Sequence, residues 1–377
     1  MNRQKIFNHD IMVCTHESVK GNHLYSGRVL GLTEPDDIIQ LHPDLKSQWN
    51  LITEHYTRIG LSYSKNVIWD VSLSVLEDYP NYDVSLFFFG NATTGISYDE
   101  DWFRRLDSDW FKVVKFINSK NNFIKLAQEL GVSVPKTFCI ENKAAIKDLT
   151  QFPYPCYLKP AVSVDGAGIS RCENQQKLKY VLRMLFDDVP LQIQEEVSAS
   201  SFLNLQYRVT TSGLERLATT SQILDGCAHN GNRYPSMHQP WETVEPMAKW
   251  MAQRGMKEVF AFDVAVVEDA AQTRYLAIEC NPRFNGASYP TGIAKKLNIT
   301  SWTCETFTTQ YHSLEKLNLS DIEFDPKSGT GAVVVNWGSI LVGKISVLLA
   351  GSVQKQNEFR VVLKQRLGGE TLKPSLK

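Results

Sequence analysis

Short apolar runs alternate with helix-length polar stretches over residues 1–115. IMVCT, VIWDVSL and DVSLFFFG are separated by segments such as DLKSQWNLITEHYTRIG. This alternation predicts a small α/β domain. SKNNFIKLAQELG follows as an amphipathic helix: Ser119 caps it, Phe123, Ile124, Ala127 and Leu130 form the apolar stripe, and Gly131 stops it. From residue 154 the pattern turns to strands and hairpins. YPCYLKP, GISRC and PLQIQEEV read as strands, with a helix over NQQKLKYVLRMLFDD. NLQYRVTT and LERLATTSQIL read as strands paired around Ser212-Gly213. A polar loop over 225–240 leads to a helix near VEPMAKWMAQRG. KEVFAFDVAVVED and TRYLAIECN then form a predicted hairpin with its turn at Asp269–Gln272, followed by a helix past Pro290. Residues 331–351 are nearly long enough to span a bilayer. Asn336, Ser339, Lys344 and Ser346 interrupt them, so they read as a buried strand, a turn and a helix start.

Composition narrows the class more than the activity. The chain has 377 residues, enough for two or three packed units, with 43% hydrophobic and 21% charged residues. A net charge of −1 gives no reason to expect a nucleic-acid or anionic-membrane partner. The seven cysteines contain no Cys-x-x-Cys pair, which favours reduced thiols over a disulfide framework or zinc site. MNRQKIFNHD lacks the apolar stretch of a signal peptide, so a cytoplasmic location is expected.

Four stretches carry chemistry. In YLKPAVSVDGAGIS, Lys159 ends an apolar strand before a turn containing Ser163, Asp165, Gly166, Ala167 and Gly168. Backbone N–H groups in such a turn can cradle phosphate oxygens, with the lysine adding a point charge; a plain hairpin is the alternative. In IQEEV, the consecutive Glu195 and Glu196 are either a solvated strand end or a clamp for an exocyclic amine. Asp263 lies amid apolar residues in VFAFDVAVV, where an unpaired carboxylate is costly. The predicted hairpin sets it near Glu279. Two close carboxylates repel unless a cation lies between them, and with the Asn281 carbonyl they suit Mg²⁺; backbone N–H groups holding Asp263 are the alternative. Finally, His229 and His238 in the polar loop are either bases or solvated side chains, and the loop itself a lid or an ordinary excursion.

Taken in order, a lysine opening a helix before GVSVP, a strand Lys-Pro with a glycine turn, QEEV, a strand Asp and ECNPR resemble the ATP-grasp superfamily. The resemblance covers residues 115–300. It implies an α/β (α+β) fold in three parts: an N-terminal α/β domain over 1–115, a small ATP-binding subdomain over 116–198, and a large catalytic subdomain with a C-terminal extension over 199–377. It implies ATP and Mg²⁺ as cofactors, with Mn²⁺ able to substitute. Lys120 and Lys159 match the two nucleotide lysines, and Ser163 to Gly168, with Gly166, the phosphate-covering loop. Glu195 matches the adenine-amine acceptor, with the backbone of Glu196 and Val197 facing the ring. Asp263, Glu279 and Asn281 match the metal ligands. Arg283 matches the guanidinium facing the transferred phosphate, and Arg208 resembles an arginine on the strand after the clamp. Gln206 sits nearest the place of a ribose-binding acid that this chain lacks, and Ala261 replaces an arginine that D-alanine ligases carry.

The implied reaction is ADP-forming ligation of a carboxylate to an amine through an acyl phosphate, using small-molecule substrates. A thiol acceptor on a carrier protein is the runner-up, and a non-catalytic nucleotide-binding module the different class. The substrate acid, the acceptor and the oligomeric state are not specified by the residues.

Overall fold

The computed structural model describes residues 4–15, 19–90, 100–163, 168–226, 228–270 and 272–368. Among these, the strands form three sheets. The first is parallel, with Lys5–Asn8 between Ile38–Gln40 and Asp83–Leu86 and with Asn66–Ile68 outermost. Parallel strands need crossovers, and the helix Trp49–Arg58 buries Ile52 and Tyr56 in one of them. The second sheet is small and antiparallel, in the order Thr137–Ile140, Leu191–Glu195, Cys156–Pro160, Ser170–Cys172. It closes over its own apolar cluster, which includes Phe152, Leu158, Leu178 and Ile193.

The third sheet has eight strands. At one side Thr273–Asn281 pairs with Glu258–Glu268, which pairs with Ser201–Thr210 and then Gly213–Asp225. The expected hairpins at 201–225 and 258–281 are therefore present. Its core is continuous with that of the parallel sheet. The helix Lys120–Glu129 starts where the sequence places it, with Ser119 Oγ accepting from the Asn122 amide and Gly131 at φ +69° beyond its end. Among the described residues no helix is long and apolar enough to cross a membrane.

Two sequence expectations fail in this sheet. The polar loop over 225–240 contains a strand, Ala228–Tyr234, held between Gly213–Asp225 and Trp302–Thr308. Its AHNGNRY sequence shows no apolar alternation because both neighbours supply backbone pairing while its faces meet the cavity described below. Gly231 is required there, since a Cβ would lie 2.1 Å from the Cys304 carbonyl oxygen. The helix start expected within 331–351 is also wrong. Gly331–Asn336 and Lys344–Ala350 form an antiparallel pair, and the helix begins only at Val353. The continuous apolar run is a strand buried on both faces, which periodicity alone does not separate from a helix.

A buried ion cluster ties the N-terminal sheet to the C-terminal part. His55 Nε2 accepts from the Val334 amide at 3.0 Å, so Nδ1 carries the proton that it donates to Glu323 at 2.5 Å. Arg58 adds Nε and Nη2 to the same carboxylate, both at 2.9 Å. Burial alone would raise the Glu323 pKa, but these bonds outweigh it and hold it at about 2 against an ordinary 4.5. The ionised form is the one the fold favours. Its contribution is therefore complete above pH 4.5 and is lost as pH falls toward 2. We expect Glu323→Gln to lose about 2 kcal/mol at pH 7. In urea titrations from pH 6 to about 3 the variant should lose less stability than the parent.

Candidate active site

The hairpin of Glu258–Glu268 and Thr273–Asn281 sets Asp263 opposite Glu279, with a register shift beside the pair that places Ile278 as the extra residue. Asp263 Oδ1 accepts from Asn204 Nδ2 at 2.7 Å and Gln222 Nε2 at 2.6 Å, and Oδ2 accepts from Asn281 Nδ2 at 3.1 Å. Glu279 Oε2 lies 3.0 Å from Lys120 Nζ. The two carboxyls are driven apart. Burial and the Glu279 charge raise Asp263 well above the carboxylate range. For Glu279, burial opposes ionisation, but Lys120, Lys159 and Arg283 outweigh it and keep the group ionised.

This donor set fits a hard divalent cation. Asp263 and Glu279 supply carboxylate oxygens. Asn281 spends its amide nitrogen on Asp263, which leaves the carbonyl oxygen as its donor. A 2+ charge here would also supply what the buried, acid-shifted Asp263 lacks.

These groups open into a cavity of about 730 Å³, also lined by Lys120, Lys159, Ser163, Glu195, Glu196, Val197 and Arg283. Lys120 starts its helix with its amide on the Ala161 carbonyl at 2.7 Å, joining that helix to the end of the Lys159 strand. Lys159 is buried and donates to Gln194 Oε1 at 2.7 Å, while Gln194 in turn donates to Thr137. Both lysines therefore enter the cavity from the small sheet's side with their side chains already ordered. Gly168 takes a left-handed φ of +77° beyond the turn; Gly166 lies outside the described residues. Glu195 Oε1 accepts from the Lys136 amide at 2.7 Å. Glu196 is gripped side-on by Arg171 and bonded by Tyr157.

Four described residues singled out in the sequence, Gly168, Gln206, Arg208 and His238, do not line this cavity. Gln206 is fully buried, and its Nε2 donates to Thr291 Oγ1 at 3.0 Å, so it packs under the helix Ser288–Lys296 instead of reaching a ribose. Arg208 follows on the same strand face, opposite Val259, where the strand has run past the cavity. His238 faces Tyr275 OH at 3.1 Å, outside the lining. His229 does line it, over Gly286, with Asn232 Nδ2 2.6 Å from its Nε2. Arg283 lines it too, resting on the Phe87 and Phe88 rings.

Sequence reasoning missed Asn204, Gln222 and Gln194, which orient Asp263 and Lys159. The period of two puts Asn204 with Gln206 and Arg208 on the polar face of NLQYRV, opposite Leu205, Tyr207 and Val209, and Asp263 is the cross-strand neighbour of Asn204. It also missed the N-terminal lining residues Tyr25, Arg28 and Phe87.

The fold is shared with solved enzymes. A biotin carboxylase from Campylobacter jejuni, with an ATP analogue, superposes at TM-score 0.63 and 12% identity, covering 97% of this chain and 92% of its own. An N5-carboxyaminoimidazole ribonucleotide synthetase in its ADP complex gives 0.60 and 12%, covering 96% and 98%. An L-amino acid ligase from Bacillus licheniformis gives 0.58 and 9%, covering 97% and 98%. No protein-family model and no curated protein matches the sequence.

Proposed function

With the ATP-grasp fold of this chain as the premise, we propose that it is an ATP- and Mg²⁺-dependent ligase that joins a small carboxylic acid to an amine and releases ADP and phosphate. The observation that carries this reading is the constellation of Asp263, Glu279 and Asn281 with Lys120 on Glu279, in one cavity with Lys159 and Arg283. The solved enzymes of this fold, which act on aminoimidazole ribonucleotide or L-amino acids, support it.

Asp263, Glu279 and Asn281 would hold the metal, which when bound neutralises phosphate charge. Lys120 and Lys159 would reach the nucleotide phosphates. A substrate carboxylate oxygen attacks the γ-phosphorus, the bond to the β,γ-bridging oxygen breaks, and ADP leaves. Lysine and arginine charges offset the negative charge spread over the phosphoryl oxygens. The amine then attacks the acyl carbon, phosphate departs with the electron pair of the C–O bond, and the nitrogen loses its proton. Gly166 and its neighbours would cover the phosphates, and Glu195 with the backbone of Glu196 and Val197 would hold the adenine. The parts 1–115, 116–198 and 199–377 would serve as acid-binding, nucleotide-binding and catalytic units.

The test is a screen of acids and amines in pairs for ADP release, with hydroxylamine as a trap. We expect ADP only when an acid is present, and a hydroxamate when hydroxylamine replaces the amine. AMP and pyrophosphate as products would overturn the reading; a thiol that accelerates turnover where amines do not would correct the acceptor.

A further inference from the structure

The N-terminal wall of the cavity holds a cation that no residue of the described chain neutralises at close range. Arg28 lies on a run of tight turns, Asn22–Leu32, and is buried, with 9% of its surface exposed. Its guanidinium carbon is 4.6 Å from the Tyr25 ring centroid, 4.6 Å from Tyr289 and 5.0 Å from Phe87. Its Nε and Nη2 are buried and find no hydrogen-bond partner among the described residues. A guanidinium cannot escape this cost by shedding its proton. Rings satisfy its faces. They do nothing for the N–H groups in its plane, and a buried cation without an anion is expensive.

The same edge is used elsewhere in the protein. Arg58 presents Nε and Nη2 to the two oxygens of Glu323, and Arg171 presents Nε and Nη2 to the two of Glu196 at 2.6 and 2.8 Å. A side-on fork of this kind matches a planar carboxylate or one face of a phosphate. In Arg28 the fork is built, buried and beside the cavity.

Its surroundings are fixed. Tyr289 OH lies 2.9 Å from His9 Nδ1, His9 Nε2 lies 3.2 Å from Ser85 Oγ, and Ser85 donates to Glu258 Oε2 at 3.0 Å. Lys5 donates to the other oxygen of Glu258 at 2.7 Å. Because Ser85 spends its proton on Glu258, His9 donates from Nε2 and accepts the Tyr289 hydroxyl proton at Nδ1. The chain locks the Tyr289 ring against Arg28. On the other side Gly27 has no room for a side chain: a Cβ would lie 2.8 Å from the Trp337 indole, whose N–H bonds the Gly27 carbonyl at 2.8 Å. The Phe87 ring lies under both Arg28 and Arg283, the latter at 5.9 Å. The fork therefore shares a ring neighbour with the guanidinium that the ligase reading assigns to the reacting phosphate.

We infer that Arg28 binds an oxyanion of the substrate other than the carboxylate being phosphorylated, so the cavity takes a substrate with a second anionic group, a carboxylate or a phosphate. This rests on the ligase reading for which carboxylate reacts, but the oxyanion site itself is tested by binding alone.

The experiment titrates full-length protein and its Arg28→Gln and Arg28→Lys variants by calorimetry, with and without a non-hydrolysable ATP analogue and Mg²⁺. The probes are succinate, its monoamide succinamate, and inorganic phosphate. We expect succinate or phosphate to bind the parent at least tenfold more tightly than either variant, and succinamate to bind all three alike, with the nucleotide affinity unchanged. The stronger of succinate and phosphate identifies the anion. Equal oxyanion affinities in parent and variants, or no oxyanion binding to the parent, would overturn the inference and leave Arg28 as a packing residue. Failure of the parent to bind the nucleotide would sink the ligase reading instead, while the nucleotide-free titrations still judge Arg28.

Discussion

Glu279→Gln is expected to lower turnover by about a thousandfold, roughly 4 kcal/mol of transition-state stabilisation, while the protein stays folded. The carboxylate lies 3.0 Å from Lys120 and faces Asp263 across the hairpin. The amide keeps the shape but removes the charge that a divalent cation needs. Fold stability should change little, because two opposed effects nearly cancel. Losing the charge relieves the repulsion that raises Asp263, and it also strips Lys120 of its partner. The pair of measurements is kcat from ADP release and the midpoint of thermal unfolding. A variant that retains full turnover would remove Glu279 from the site; one that unfolds would make it a structural residue. A nucleotide-binding module without activity would show no turnover in the parent either, so the comparison also separates that class.

Trp337→Ala is expected to cost about 4 kcal/mol of stability, the middle of the range for a buried tryptophan. Trp337 is completely buried after the strand Gly331–Asn336, in contact with Gly27 and bonded to its carbonyl. Truncation leaves a cavity walled by the turns that carry Arg28 and Tyr25, which otherwise pack on the helix Ser288–Lys296 through Gly31 and Ile293. Urea unfolding of the variant should show the loss. The oxyanion affinity of the protein that remains folded should fall as well, since Gly27, next to Arg28 in the chain, loses the indole that it packs on and bonds. A cost below about 1 kcal/mol would mean that the site collapses readily and that the indole does not position these turns.

Much of the candidate site was legible because it lies on local patterns. Asp263 and Glu279 stand in two strands joined by a four-residue turn, so a hairpin prediction already pairs them, and the period of two puts Glu279 and Asn281 on one side. Lys120 was legible only through the resemblance, as a lysine opening a helix before GVSVP. What was not legible depends on contacts far apart in the chain. Arg28 and Tyr289 meet across more than half the sequence, and an arginine in SGRVLGL carries no local sign that its fork faces no carboxylate. Gln206 was misjudged for the same reason. Its position on the strand was right, but the helix bearing Thr291 covers it, and no strand pattern announces a helix packed from outside. The strand at 228–234 was lost because its pairing partners, not its own side chains, define it.

The central claim is that this cavity activates a carboxylate by direct transfer of the γ-phosphoryl group. With the acid found by the ADP screen labelled with ¹⁸O in both carboxylate oxygens, the released phosphate is analysed by mass spectrometry after one turnover. The account predicts one ¹⁸O atom in each phosphate formed, carried over from the acyl phosphate. Phosphate without label, or label recovered in AMP, would contradict it.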